Sequence, residues 1–208
     1  MDSYLYLADV KTHGERLVKE VPLPEDFLSR VNRYKNEEVR FRSHCAYALL
    51  FLGLKELGLK EEKIVLTGNN KPDFTSFHFN VSHSGDLVTA LLSPLPCGVD
   101  IQLVEEAKDY EIVAKRVLSP ELFTQYSTSI DKASFFAKAW AILEARQKEI
   151  GTGIATKDLR LESMDRPVIH PTDSLGRPYF LTYSPATKAA PDRRAAGERR
   201  RKDARNRA

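Results

Sequence analysis

The sequence predicts an α+β protein made of two similar halves in one chain, and three observations predict it. Strand-like and helix-like runs follow the order strand, helices, strands, and that order recurs once along the 208 residues. Phe136, Trp140 and Leu143 recur at i, i+4 and i+7, the stripe of an amphipathic helix. His78-Phe79-Asn80-Val81 alternates polar and apolar, the period of a half-buried strand.

Element by element, Tyr4-Leu5-Tyr6-Leu7 reads as a first strand. Pro22 and Pro24 mark a turn, and Pro24 opens a short helix to about Tyr34. Glu37 to Leu57 is strongly helical, with Gly58 placed to end it. Ile64-Val65-Leu66 is a short strand, and Gly68-Asn69-Asn70-Lys71-Pro72 is a turn cluster. His78–Val81 and Leu87–Leu92, joined by Ser84-Gly85-Asp86, predict a hairpin. Pro94 and Pro96 break it, and Gly98-Val99-Asp100-Ile101 begins a new strand. Helices follow over Glu106–Leu118, after Ser119-Pro120, and from about Asp131 to Ile150, where Gly151 stops the last. Weak strands close the pattern at Leu159–Leu161, Val168-Ile169 and Tyr179–Thr182. The reading divides the chain into a half at 1–95, a half at 96–183 and a tail at 184–208.

Composition narrows the class. The longest apolar run, Cys45 to Leu54, has ten residues, too short for a membrane span of roughly 20 residues. Met1-Asp2-Ser3-Tyr4 opens on an acid and does not read as a secretory signal. Two cysteines, Cys45 and Cys97, make neither a disulfide framework nor a four-cysteine zinc site, so the expected compartment is the cytoplasm. The whole chain carries +3, yet residues 185–208 alone hold nine Lys or Arg against three Asp or Glu, a net +6. The preceding 184 residues are therefore at −3, and the basic character belongs to the tail. Lacking any aliphatic or aromatic core residue, the tail is expected to be disordered. A solvated extension is preferred to a nucleic-acid arm, because no aromatic ring interleaves its charges to stack bases.

Several chemistries fail on spacing. Ser82 has no flanking glycines of a nucleophile elbow, and adjacent His83 points to the opposite face of a strand. His44 and Cys45 diverge around a helix, so Cys45 is expected to pack as a small apolar residue. His78 and His83, five apart near one strand, make a poor zinc pair. The carboxylates are more informative. Asp100 inside an apolar strand is costly unless it is paired, on a metal, or capping the strand end. Gln102 faces the same side of that strand. Glu144 and Lys148 share a helix face at i, i+4, and by themselves read as an ordinary surface ion pair. Arg40 and Arg42 splay early in a helix, while Lys71, Ser82 and His83 flank turns at strand ends, where ligand groups gather.

Together these residues form a recognisable set. Phe79-Asn80-Val81-Ser82-His83-Ser84-Gly85, then Gly98-Val99-Asp100-Ile101, then Trp140-x-x-x-Glu144-Ala145-x-x-Lys148 with Gly151-x-Gly153, resembles the 4′-phosphopantetheinyl transferase superfamily, in its single-chain, surfactin-synthetase-activating type. Ala114-Lys115-Arg116 followed by Ser119 adds to the likeness, which runs from about Glu37 to Gly153. The resemblance implies a 4′-phosphopantetheinyl transferase fold of two pseudo-twofold halves with the ligand cleft between them, and a monomer. It implies transfer of 4′-phosphopantetheine from coenzyme A to a serine of an acyl or peptidyl carrier protein, releasing adenosine 3′,5′-bisphosphate. Magnesium, with manganese as its substitute, would sit on Asp100, Gln102 and Glu144. Glu144 would take the serine proton and Lys148 would neutralise the departing bisphosphate, with Asp100 completing the catalytic set. Lys71, Ser82 and His83 would hold the coenzyme phosphates, with Arg42 or Arg40 at the 3′-phosphate. Three departures stand out: Gln102 where many relatives have Glu, Leu143 where the usual residue is Lys, and a basic tail where the family closes with a strand. They keep open an alternative, a degenerate homologue that binds coenzyme A or a carrier protein without turnover.

Overall fold

A computed structural model describes residues 2–59, 64–67, 71–105, 110–151 and 160–184. Strand β1 (Tyr4–Asp9) leads directly into helix α1 (Val10–Glu20), whose start Asp9 caps by accepting the Lys11 N–H. This helix is absent from the sequence-based expectation. Its buried face is Val10, Gly14 and Leu17, so the central stripe position is a glycine and the periodicity is muted. Gly14 is there because the Phe41 ring lies where a side chain would go. Helix α2 (Glu25–Val31) follows Pro24, and α3 (Glu37–Glu56) starts at the Asn36 cap. Almost every side chain of α3 from Cys45 to Leu54 is buried, because α1 covers one side and the first sheet the other.

Strands β2 (Val65–Thr67) and β3 (Lys71–Asp73) form a small antiparallel pair, so Lys71 and Pro72 belong to a strand rather than a turn. Strands β4 (His78–Ser84) and β5 (Leu87–Ser93) form the expected hairpin, and the first sheet has the order β1-β5-β4. Ser82 and His83 lie at the end of β4 that flanks the Gly85-Asp86 turn, as expected. Strand β6 (Gly98–Leu103) starts the second part. Helices α4 (Tyr110–Val117), α5 (Pro120–Thr128) and α6 (Lys132–Ile150) come next, then β7 (Val168–Ile169) and β8 (Tyr179–Ser184). The second sheet has the order β6-β8-β7. In both sheets the strand latest in sequence sits between the other two, all antiparallel. Leu161 makes only an isolated bridge to Leu118. The expected turn at Gly68–Asn70, the first turn of the Glu106 helix, Gly153, Leu159 and residues 185–208 lie outside the described residues. Ser184, expected to start the tail, is instead the last residue of β8, paired with Gly98.

Strand β5 is buried on both faces. Val88, Ala90 and Leu92 enter a core with Phe27, Leu50, Phe74 and Phe79, while Leu87 and Leu91 meet Val99, Ile101, Tyr179 and Leu181 of the second sheet. A further core joins α4, α5 and α6 through Leu118, Tyr126, Phe136 and Leu143. The two sheets meet along β4 and β6 through side chains. Asn80, Ser82 and Ser84, alternate residues of β4, aim at β6: Asn80 Oδ1 accepts the Val99 N–H at 2.9 Å and Ser84 Oγ accepts the Leu103 N–H at 3.0 Å. The polar side of the alternating pattern thus faces a seam instead of bulk water.

Candidate functional site

The residue that closes this seam is Asp100. It follows Val99, whose side chain goes to the sheet–sheet core, so Asp100 points to the opposite face, under α6. It is fully buried. Helix and strand approach unusually closely there. A Cβ on Gly98 would lie 2.0 Å from the Ala145 carbonyl oxygen and 2.5 Å from the Glu149 nitrogen. Glycine lets the two backbones touch, which brings Glu144 and Lys148, one helical turn apart, onto Asp100.

Lys148 Nζ is ringed by oxygens: Asp100 Oδ1 at 2.5 Å, Ser82 Oγ at 3.0 Å, the Val99 carbonyl at 3.3 Å and Glu144 Oε2 at 3.5 Å. Ser82 also donates to Asp100 Oδ1 at 2.7 Å, and Gln102 Nε2 donates to Asp100 Oδ2 at 2.8 Å. The structure decides between the local alternatives for Asp100 and corrects the one for Glu144 and Lys148. Asp100 does not cap a strand end, and Glu144–Lys148 is no surface pair: the Lys148 side chain is 29% exposed and turns to a carboxylate 48 residues away.

Charge states follow from this crowding. Burial, the Asp100 charge and a hydrogen bond with Asp100 push the Glu144 carboxyl up to about 7, with Lys148 opposing. Burial alone would lower the Lys148 ammonium, but Asp100 and Glu144 together outweigh it and hold it above its ordinary value. His83 is pushed down to about 4 by burial and by Lys148 and Arg42, so it is a neutral ring at pH 7.

The remaining predicted residues divide. Arg42 is close enough to act on His83, although its guanidinium also meets Glu38 at 2.7 Å. Arg40 instead donates to the Tyr34 carbonyl and pairs with Glu37, so of the two arginines Arg42 is the one whose charge reaches His83. Lys71 Nζ donates to the Cys97 carbonyl at 2.8 Å. Cys97 is two residues before Val99, a strand repeat of roughly 7 Å, so Lys71 and Lys148 border the same stretch of backbone. Sequence reasoning missed the Val99 carbonyl, the seam bond of Asn80 and the contact at Gly98. The period-two row Asn80, Ser82, Ser84 was the available signal for the second.

Among the described residues no group of three His, Cys, Asp or Glu side chains surrounds one point. Asp100 and Glu144 supply a carboxylate pair, and Ser82, Gln102 and the Val99 carbonyl carry further oxygens. All are hard oxygen donors. Magnesium commonly takes one or two carboxylates and completes its shell with water and substrate phosphate, so the donor set fits that ion. No described helix is long and apolar enough to cross a membrane.

No protein-family model matches the chain. The 4′-phosphopantetheinyl transferase psf-1 of Bacillus pumilus is 29% identical over 184 residues, 79% of this chain and 75% of that protein. The 4′-phosphopantetheinyl transferase Sfp of Bacillus subtilis is 31% identical over 122 residues, 54% of this chain and 52% of that protein. The holo-[acyl-carrier-protein] synthase of Edwardsiella ictaluri is 30% identical over 102 residues, 46% of this chain and 77% of that protein.

Proposed function

The chain belongs to the 4′-phosphopantetheinyl transferase superfamily, and from that premise we propose that it transfers 4′-phosphopantetheine from coenzyme A to a serine of an acyl or peptidyl carrier protein, releasing adenosine 3′,5′-bisphosphate. The observation that carries the reading is the meeting of Asp100, Glu144 and Lys148 beside Ser82 and His83. The repeated strand order supports two pseudo-twofold halves, 1–95 and 96–183, with the cleft at their seam. On this reading the chain acts as a monomer in the cytoplasm.

Attack of a serine oxygen on a diphosphate needs alignment and charge neutralisation more than a covalent intermediate. Asp100 and Glu144, with Gln102 beside them, would hold magnesium or manganese, which when bound offsets the charge of the diphosphate. Glu144, held near neutrality in its titration, is suited to accept the serine proton directly or through a water. Lys148 neutralises charge accumulating on the leaving bisphosphate. Neutral His83 and Lys71 offer hydrogen-bond donors to the coenzyme phosphates, Ser82 would join them by turning its hydroxyl proton from Asp100, and Arg42 would serve the 3′-phosphate; Arg40 is further from that role.

The test is incubation with coenzyme A, magnesium and an apo carrier protein, read as the mass gain of one phosphopantetheine group. Asp100→Asn and Glu144→Gln are each expected to slow the gain by at least ~10²-fold. Turnover undiminished in both variants sinks the assigned site. Gln102 gives the rival reading its footing, since its amide now donates to Asp100 where a second acid would repel it. A degenerate homologue would bind coenzyme A in calorimetry and produce no modified carrier.

A further inference from the structure

Each oxygen of the buried Asp100 carboxylate is already in use. Oδ2 takes the Gln102 amide, while Oδ1 takes both Ser82 and Lys148. Gln102 and Ser82 are strand-borne and short. Lys148 reaches the site on a flexible four-carbon stem from the helix and keeps partial access to solvent. Its ammonium lies within 3.5 Å of four oxygens, from Asp100, Ser82, Val99 and Glu144. That is the environment of a bound cation, built by the chain itself.

We propose that the Lys148 ammonium is a tethered resident cation of the Asp100–Glu144 pair, displaced when a divalent ion arrives together with the coenzyme diphosphate. This rests on the reading of that pair as the metal site. The physical reason is competition for one oxygen. A small divalent ion bound to Asp100 Oδ1 would stand within a few ångströms of the ammonium, and the two cations would repel in a water-poor seam. The metal alone offers Lys148 no new partner. The diphosphate does, since it accepts from the ammonium and adds ligands to the ion. Metal entry is therefore coupled to coenzyme binding, and by linkage the coenzyme binds more tightly with the ion present.

Titration of the full chain with Mn²⁺, read by the loss of the free-ion spin-resonance signal, tests this without turnover. Without coenzyme A the unchanged protein is expected to bind Mn²⁺ weakly, and Lys148→Met about tenfold or more tightly, while Lys148→Arg stays weak because the charge remains. Adding coenzyme A is expected to bring the unchanged protein to the tight regime. Equal Mn²⁺ affinity in the unchanged protein and Lys148→Met overturns the proposal. Thermal unfolding of the unchanged protein gives a check that needs no variant to fold: Mg²⁺ alone leaves the midpoint in place, and Mg²⁺ with coenzyme A raises it beyond coenzyme A alone. A full upward shift with Mg²⁺ alone overturns the displacement. Absence of Mn²⁺ binding from every protein, coenzyme A included, overturns the metal site itself and this proposal with it; carrier modification persisting in that case would leave the transferase reading standing.

Discussion

His83 and Glu144 both feel the charges of Asp100 and Lys148, and burial moves them in opposite directions, His83 down to about 4 and Glu144 up to about 7. Between about pH 4 and 6.5 the unfolded chain holds a proton on this histidine that the folded chain does not, so its contribution to stability grows as pH rises. Between about pH 4.5 and 7 the folded chain holds a proton on Glu144 that the unfolded chain releases, so that contribution shrinks as pH rises. The two slopes oppose each other over most of the same window. Urea titrations in a chelating buffer are expected to show the cancellation lifted in single variants. Glu144→Gln should gain stability with rising pH relative to the unchanged protein, and His83→Gln should lose it, each by up to ~1.4 kcal/mol per pH unit. Parallel profiles in all three proteins would refute the assigned protonation states.

Helix α6 and strand β6 set the site by how closely they approach. Gly98→Ala has nowhere to place a methyl group except against the Ala145 carbonyl and the Glu149 nitrogen. Because both obstacles are backbone, the helix must shift, at a cost of about 1–3 kcal/mol of unfolding free energy, read by denaturant titration, and carrier modification should fall with it. Leu143 shows the other side of this packing. It is buried with Phe136, Tyr126 and Leu118, although family resemblance would put a lysine there. Leu143→Lys is therefore expected to destabilise by at least ~3 kcal/mol, since an unpaired charge enters an apolar core. Unchanged stability with faster turnover would mean that the position faces the cleft. The lost family lysine, the apolar i, i+4, i+7 stripe and the buried contact all belong to the same side of α6, which is why the sequence pattern anticipated Leu143 correctly.

At the scale of the molecule the two sheets are held together at two places. One is the Asp100 cluster in the seam. The other is a network in which Asp173 accepts from the Tyr179 hydroxyl, the Arg177 guanidinium and the backbone N–H groups of Leu175 and Arg177. Arg177 also pairs with Asp86 in the β4–β5 turn, and the Ser174 N–H donates to Asp9 at the start of α1. Removing Asp173 would strand four donors at once, three of them from the β7–β8 turn and the fourth the Tyr179 hydroxyl of β8. Asp173→Ala is expected to cost about 2–4 kcal/mol and to separate two probes that coincide in the unchanged protein. These are far-UV dichroism and the emission of Trp140, the single tryptophan, on α6. Coincident transitions in the variant would show that the network does not couple the sheets.

Much of this protein was determined by local pattern. The β4–β5 hairpin, the caps and ends of α3 and α6, the doubly buried β5 and the one-turn spacing of Glu144 and Lys148 all follow from periods and turn residues that neighbours in sequence can enforce. Helix α1 escaped notice because a glycine replaces the middle of its apolar stripe, and only the Phe41 ring packed on that glycine explains the choice. The site belongs to the tertiary structure. Ser82 and Lys148 are 66 residues apart and Asp100 and Lys148 are 48 apart. What brings them together is the backbone contact at Gly98 and the polar row of β4 turned into the seam. A run of residues can dictate which way each side chain leaves its own element. Which oxygens then gather around one ammonium is decided only when separate elements pack, because the energies that choose that packing come from surfaces remote from each other along the chain.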